Sequence, residues 1–413
     1  MLGSRFWFLR ISESISILST KISIMVATWC LIDMQNKAFV AAMALGGYYA
    51  FLILNGFAFS HYLDQKDKKL FILGSLLASI FASVGIFYCV YEGAFKSFFV
   101  LCLYFLSIAS AIYGPIVNAL IPSLMPSSKV EIAYAYSFSM QSACNILGIF
   151  SGAFLIDFFG VRAAQWVSVS LFFVGLFLVL WVDLSLEDQR ELKNQFAMPY
   201  KEKISLFVKA RFELWWSVLS FFANFFFIPL VMFVIPVYVS KELNEGSRWV
   251  AIFESSISVG MLLMATFFYK KIRKFVKNKM MILIASFAMV SVSLIGMSFF
   301  YSKLVWVVSL LLLGAAVIAN NTTVESIRSV CIPTQHRGFF QTIHGVIIKM
   351  AIPAGMLFVG QMEKHLNVTS VLWLSAAAFA FLSFVLPKIP DIVFLMNTPI
   401  EKLTGIYRRL YGN

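Results

Sequence analysis

The chain of 413 residues is 60% apolar and only 13% charged, with a mean hydropathy of +0.85. Soluble domains carry charge on about a quarter of their residues, so this composition excludes a soluble globular protein and marks a polytopic membrane protein. A net charge of +13 invites a nucleic-acid reading, but the basic residues gather in alternate loops between apolar blocks, which is the pattern of membrane topology and not of a nucleic-acid face.

Crossing the hydrocarbon core takes about 20 apolar residues in a helix. Blocks of that kind are predicted at 6–32, 38–60, 70–91, 97–124, 132–156 and 161–183, and again at 213–240, 247–269, 280–301, 304–331, 338–361 and 366–387. The first block carries Glu13 and Lys21 and is followed by no small-residue cleavage pattern, so it reads as a span and not as a removable signal. The expected architecture is all-α, with 12 transmembrane helices in two pseudo-symmetric six-helix bundles. Residues 1–183 form the first bundle, 184–212 a cytoplasmic linker, 213–390 the second bundle and 391–413 a cytoplasmic tail. The loop bias in Lys and Arg places both termini in the cytoplasm. Cys30, Cys89, Cys102, Cys144 and Cys331 all fall in or beside apolar blocks without metal-ligand spacing, so no metal and no cofactor are expected.

Matching landmarks point to an internal repeat. The fourth block ends NALIPSLMP and the tenth ESIRSVCIP; aligned on their last prolines, Asn118 meets Glu325. The segment after the second block, Ser60 to Lys69, corresponds to the basic run Tyr269 to Lys279 after the eighth. Gly148 and Gly152 of the fifth block likewise answer Gly355 and Gly360 of the eleventh.

The segment Ser60-His61-Tyr62-Leu63-Asp64-Gln65-Lys66-Asp67-Lys68-Lys69 resembles the G-x-L-A-D-R-x-G-R-K loop between the second and third spans of the major facilitator superfamily. Asp64, Lys68 and Lys69 match that motif, whereas Ser60, Gln65 and Asp67 depart from its two glycines and first arginine. The resemblance implies a cytoplasmic gate loop built on Asp64, Lys68 and Lys69. Gly152 to Arg162 resembles the turn between fifth and sixth spans of the same superfamily. Asn224 to Pro236, Phe253-Glu254-Ser255 running to Gly260, and Pro333 to Gly338 resemble its macrolide-efflux and enterobactin-exporter branch. That branch implies a bacterial inner-membrane exporter.

Ionisable residues inside spans are candidates for function, because a charge at the centre of a membrane helix costs about 3 kcal/mol on insertion scales. Glu13, Ser16, Thr20 and Ser23 share a broad face of the first span with Lys21 at its edge; Glu13 is either a cavity residue or an interfacial one. Glu254, with Ser258 a turn below it, is either a coupling group or a structural hydrogen-bonding partner. Asn321, Glu325 and Arg328 lie at i, i+4 and i+7. They read either as a substrate or proton site or as a self-neutralising Glu325–Arg328 pair. Ser137, Gln141 and Asn145 line one face of the fifth span above Gly148 and Gly152, which allow close helix approach. Lys349 reads as a counter-ion to Glu325 or Glu254, or as an attraction point for an anionic substrate. Asn224 and His344 complete the polar set.

A carboxylate in a low-dielectric cavity can take and release a proton as water access alternates, and the chain has no phosphate-binding G-x-x-x-x-G-K-[ST] motif to supply energy instead. A proton-coupled secondary transporter is therefore expected, exporting an amphipathic small molecule such as a siderophore or drug-like compound. The partners implied are that substrate, protons and membrane lipids, with no nucleic acid and a monomeric state. An importer of a siderophore or metabolite uses the same architecture; a lipid-modifying enzyme or a channel fits the residues less well. The tail reads either as a short amphipathic helix on the inner membrane surface, with Leu403, Ile406, Tyr407 and Leu410 on one side, or as an ordinary disordered tail.

Overall fold

A computed structural model describes residues 3–34, 38–63, 68–93, 97–124, 130–182, 200–276, 278–300, 302–332, 337–399, 402–403 and 406–411. Asp64, most of the connector (183–199) and the Pro333 to His336 stretch lie outside the described residues. The described residues are helical almost throughout and include no strand. Ten helices among them are long and apolar enough to cross a membrane, and Phe39–Asn55 is a shorter apolar helix.

The helices follow the expected order. They are α1 (Ser4–Trp29), α2 (Ala38–Leu63), α3 (Lys68–Glu92), α4 (Ser97–Leu124) and α5 (Val130–Leu180). The 51 residues of α5 join the expected fifth and sixth segments, which are divided at Gly160 (φ 81°, ψ 164°). Only glycine visits that left-handed region without strain, so two helical segments meet at a kink there. Next come α6 (Tyr200–Lys209), α7 (Arg211–Pro229), α8 (Ser247–Leu263), α9 (Tyr269–Phe275), α10 (Lys279–Phe299), α11 (Lys303–Cys331), α12 (Arg337–His365) and α13 (Val368–Val385). Two short helices close the chain, α14 (Ile392–Asn397) and α15 (Ile406–Tyr411). Beyond Pro229 the seventh span continues through π-helical turns at Leu230–Val234 and Tyr238–Glu242. Proline removes a backbone donor, and a widened turn is a common way of absorbing the fault.

By packing, the chain groups into two units, Met1–Ala197 with Ile235–Ala251, and Met198–Val234 with Ile252–Asn413. In the first, α1 lies along α5, while α3 packs on both α4 and the later part of α5. The α1–α5 approach is close: a Cβ at Gly148 would fall 2.6 Å from Lys21 Cβ, and one at Gly152 would fall 2.9 Å from Met25 Cβ. These two glycines serve the close helix approach read from the sequence. A serine and glutamine cluster fastens the interior. Ser19 and Ser23 bond to Ser168 at 2.9 and 2.7 Å, and Gln165 donates to Ser83 Oγ at 2.8 Å. Residues 235–251 join this unit because Ser247 Oγ donates to the Ala153 carbonyl (3.0 Å) and the Arg248 N–H donates to Asp157 Oδ1 (3.3 Å).

The second unit repeats those pairings. There α7 lies along α12, and α10 packs on both α11 and α13. First with fifth, third with fourth and third with sixth is thus the arrangement inside each unit, which is how the sequence repeat is expressed in three dimensions. The tail differs from its expected place on the membrane surface: Leu403, Ile406 and Tyr407 are buried in the second unit while Leu410 stays exposed. The physical reason is a buried acid beneath it, described next.

Candidate functional site

Among the described residues, each unit holds a buried charged cluster. In the first, Arg10 and Glu13 lie one turn apart on α1, are 1% and 2% exposed, and form an ion pair through Arg10 Nη1 and Glu13 Oε2. The other carboxylate oxygen accepts a 2.9 Å hydrogen bond from Gln141 Nε2 on α5. A charge-assisted bond of this kind is roughly twice as strong as a neutral one. Asn145, a turn further along α5, is exposed and donates to the Gln141 carbonyl at 2.8 Å. Lys21 is half-buried; its ammonium lies 3.3 Å from Tyr49 Oη and 5.8 Å from the centre of that ring. The structure therefore brings Glu13 and Gln141 together, while Lys21 turns to a tyrosine. The Glu13 side chain is enclosed by protein.

In the second unit the cluster is centred on Arg328, which is 1% exposed. Its Nε lies 3.1 and 3.0 Å from the two oxygens of Glu213 on α7, its Nη2 lies 2.8 Å from Glu213 Oε2, and its Nη1 donates to Glu325 Oε1. Glu213 is fully buried, and Tyr407 of α15 donates to its Oε1 at 2.9 Å. Glu325 is 49% exposed. The self-neutralising pair read from the sequence is present, but the stronger partner of Arg328 is Glu213, which the sequence placed at the start of a span and passed over. His344 on α12 sits close by, its Nδ1 2.8 Å from Ser217 Oγ one turn beyond Glu213. The sequence reading gave Arg10 no role and placed Tyr407 in the amphipathic tail without a partner. The Arg10–Glu13 spacing carried the same i, i+3 signal as Glu325–Arg328; nothing local announces Glu213 or Tyr407, because their partner lies more than a hundred residues away.

The remaining candidates occupy other places. Glu254 is buried on α8, where its carbonyl accepts the Ser258 hydroxyl at 3.2 Å. Lys349 is on the exposed side of α12 and Asn321 on the exposed side of α11, whereas Asn224 on α7 is half-buried. Lys68, at the start of α3, is buried and Lys69 half-buried. Asn224 and Asn321 meet in a cavity of about 200 Å³ inside the second unit, together with Ser220, Ser286 and Asn320. Among the described residues, no group of His, Cys, Asp and Glu is disposed to hold a metal.

Comparison with known proteins gives a consistent result. A family model described as Major Facilitator Superfamily matches residues 11–356. Macrolide efflux protein A of Streptococcus pyogenes is 21% identical over 393 residues, covering 94% of this chain and 96% of its own. Among solved structures, the POT family transporter PepTSo superposes with a TM-score of 0.72 at 11% identity, over 96% of this chain and 99% of that one. A D-xylose-proton symporter gives 0.71 at 14% identity, over 95% and 99%.

Proposed function

The chain belongs to the major facilitator superfamily, as a multi-pass membrane transporter of the cell membrane and not an enzyme, and on that premise we propose that it is a proton-coupled antiporter exporting amphipathic small molecules by alternating access. Export over import is supported by the similarity to a macrolide efflux protein along nearly the whole of both chains. The substrate class is drug-like or siderophore-like, and the protein works as a monomer among membrane lipids.

The observation that carries the coupling is the excess of carboxylates on Arg328. Glu213 alone meets the guanidinium with Nε and Nη2. Glu325 therefore adds a second acid that can be protonated while Arg328 keeps a buried partner. Its side chain is half exposed. In the proposed cycle, a proton taken up by Glu325 discharges its contact with Nη1, and its loss on the opposite side restores that contact. Glu13, held by Arg10 and Gln141, is a buried acid of the first unit and is assigned to charge balance there. Asn145, Lys21, Glu254, Asn224, Asn321 and Lys349 are assigned to substrate contact or charge balance along the path, and Lys68 and Lys69 to the gate loop with Asp64.

The test is transport in everted membrane vesicles with an acid interior, using a macrolide and a hydroxamate siderophore as substrates. The native protein is expected to accumulate at least one of them, and Glu325→Gln to lose at least about tenfold of that accumulation while retaining substrate exchange without a gradient. Accumulation by right-side-out vesicles instead would reverse the direction, and undiminished accumulation by Glu325→Gln would remove Glu325 from the coupling.

A further inference from the structure

The cavity inside the second unit has chemistry of its own. Its walls come from four helices of that unit: Ser220, Asn224 and Phe227 from α7, Ser286, Phe287 and Val290 from α10, Ala316 and Asn320 from α11, and Phe379 from α13, among others. Phe287, Val290, Ala316 and Phe379 are buried and form an apolar floor, with the Phe287 and Phe379 rings 6.0 Å apart between centres. The amides of Asn224, Asn320 and Asn321 stand around it, Asn321 being exposed. None of the lining residues is ionisable.

One acceptor of the rim is left without a donor. Ser286 gives its proton to the Ile282 carbonyl (2.7 Å), Asn224 gives an amide proton to the Ser220 carbonyl (2.8 Å), and Asn320 gives one to Asn321 Oδ1 (3.3 Å). Asn320 Oδ1 is buried, with almost no surface open to the cavity as the side chain stands, and accepts no hydrogen bond from the described residues. Buried acceptors left in that state are few in native proteins and call for an explanation, since each costs on the order of the desolvation penalty of a polar group. The volume decides what kind of ligand is suitable. About 200 Å³ is below the roughly 300–1,000 Å³ of pockets that enclose a whole drug-sized molecule.

We infer that this cavity is a binding site for an uncharged apolar arm of about one or two rings, bearing an N–H or O–H toward which the Asn320 amide turns its unpartnered Oδ1. The arm lies against Phe287, Val290, Ala316 and Phe379, and its donor meets the asparagine rim. This deepens the transporter reading by naming the chemistry of part of the substrate. Binding is measured without transport, so its failure leaves the gradient-driven assay of Glu325 unaffected.

Three matched probes test it on the full-length protein in lipid nanodiscs. N-phenyl-1-naphthylamine carries two aromatic units and an N–H; 1-benzylnaphthalene replaces that N–H by CH₂; 8-anilinonaphthalene-1-sulfonate adds a negative charge. The native protein is expected to show a saturable fluorescence component with the first probe, displaced by 1-benzylnaphthalene at least about fivefold less effectively, in line with one lost hydrogen bond, and not displaced by the sulfonate. Ala316→Phe and Val290→Phe fill the floor from two helices; whichever gives a native gel-filtration profile should lack the component. Asn320→Leu should bind the amine and its CH₂ analogue within about twofold of each other, its acceptor being gone. No saturable component in the native protein, or an undiminished one in a filled variant, overturns the site. Equal displacement by 1-benzylnaphthalene overturns the donor requirement, and displacement by the sulfonate overturns the requirement for a neutral arm.

Discussion

The two charged clusters solve the same problem in different ways. Arg10 and Glu13 are neighbours on one helix turn, and the Gln141 amide ties Glu13 to a second helix. Glu213 and Arg328 lie 115 residues apart and are joined by bonds from Nε and Nη2, with a tyrosine from the end of the chain as a further donor. The first is a charge neutralised within its own helix, where the backbone already sets the spacing. The second is a clamp, because the two helices must be held in register for the charges to meet. The difference teaches that burying a charge in a membrane helix does not by itself say whether the residue holds the fold together.

The clamp should break hardest. In Arg328→Gln the shorter side chain cannot reproduce the bidentate contact, and Glu213 is left as a wholly buried acid. Removing one member of a buried pair costs about 3–5 kcal/mol, so thermal unfolding in detergent should drop more for this variant than for any other change considered. Adding Glu213→Gln should recover about half of the loss if the two residues are coupled as a pair; simple additivity would deny the clamp. Glu13→Gln comes next. The amide has the shape of the acid and keeps an acceptor near Arg10 and a partner for Gln141, so the expected loss is about 2–3 kcal/mol, the scale of hydrogen bonds to charged groups. A loss as large as that of Arg328→Gln would erase the distinction between local and cross-helix pairing.

Tyr407→Phe is a smaller change to the clamp, removing one 2.9 Å bond to Glu213 Oε1. The expected cost is about 1.5 kcal/mol, accompanied by faster proteolysis of the C-terminal segment as α15 loses its hold. No change in cleavage rate would mean that the burial of Leu403 and Ile406 keeps the tail in place without the tyrosine.

The same contrast explains what the sequence reveals. Span positions are legible from twenty-residue apolar blocks, and the repeat from landmarks in common order, because hydropathy and spacing are properties of the chain itself. Gly148 and Gly152 are legible as contact points since small residues at i, i+4 permit one consequence, a close neighbour. Glu325 with Arg328, and the facing of Gln141 and Asn145 on α5, follow from helical periodicity. What does not follow is partnership across helices. Glu213 sits in the first turn of α7, beside a polar connector, where an acid suits the helix dipole and attracts no attention. Tyr407 belongs to an amphipathic pattern whose apolar side fits a membrane surface as well as a protein groove; burial of Glu213 beneath it decides between them. Asn320 is one of two adjacent asparagines, and only the three-dimensional packing shows which of them keeps a buried oxygen with no hydrogen-bond partner among the described residues.

Glu325→Gln is expected to have the smallest effect on stability and isolates what the clamp does not do. Its side chain is 49% exposed, and exposed ion pairs contribute about 0–1 kcal/mol. Arg328 also retains its contacts with Glu213 in this variant. Unfolding should therefore stay within about 1 kcal/mol of the native protein, even though gradient-driven accumulation is expected to fall. A variant that folds normally, exchanges substrate and cannot be driven by a proton gradient would separate the two carboxylates of one arginine into a structural acid and a working one. If Glu325→Gln instead unfolded as readily as Arg328→Gln, both acids would belong to the clamp, and the proton would have to be carried by another group, with Glu13 and Glu254 the first to test.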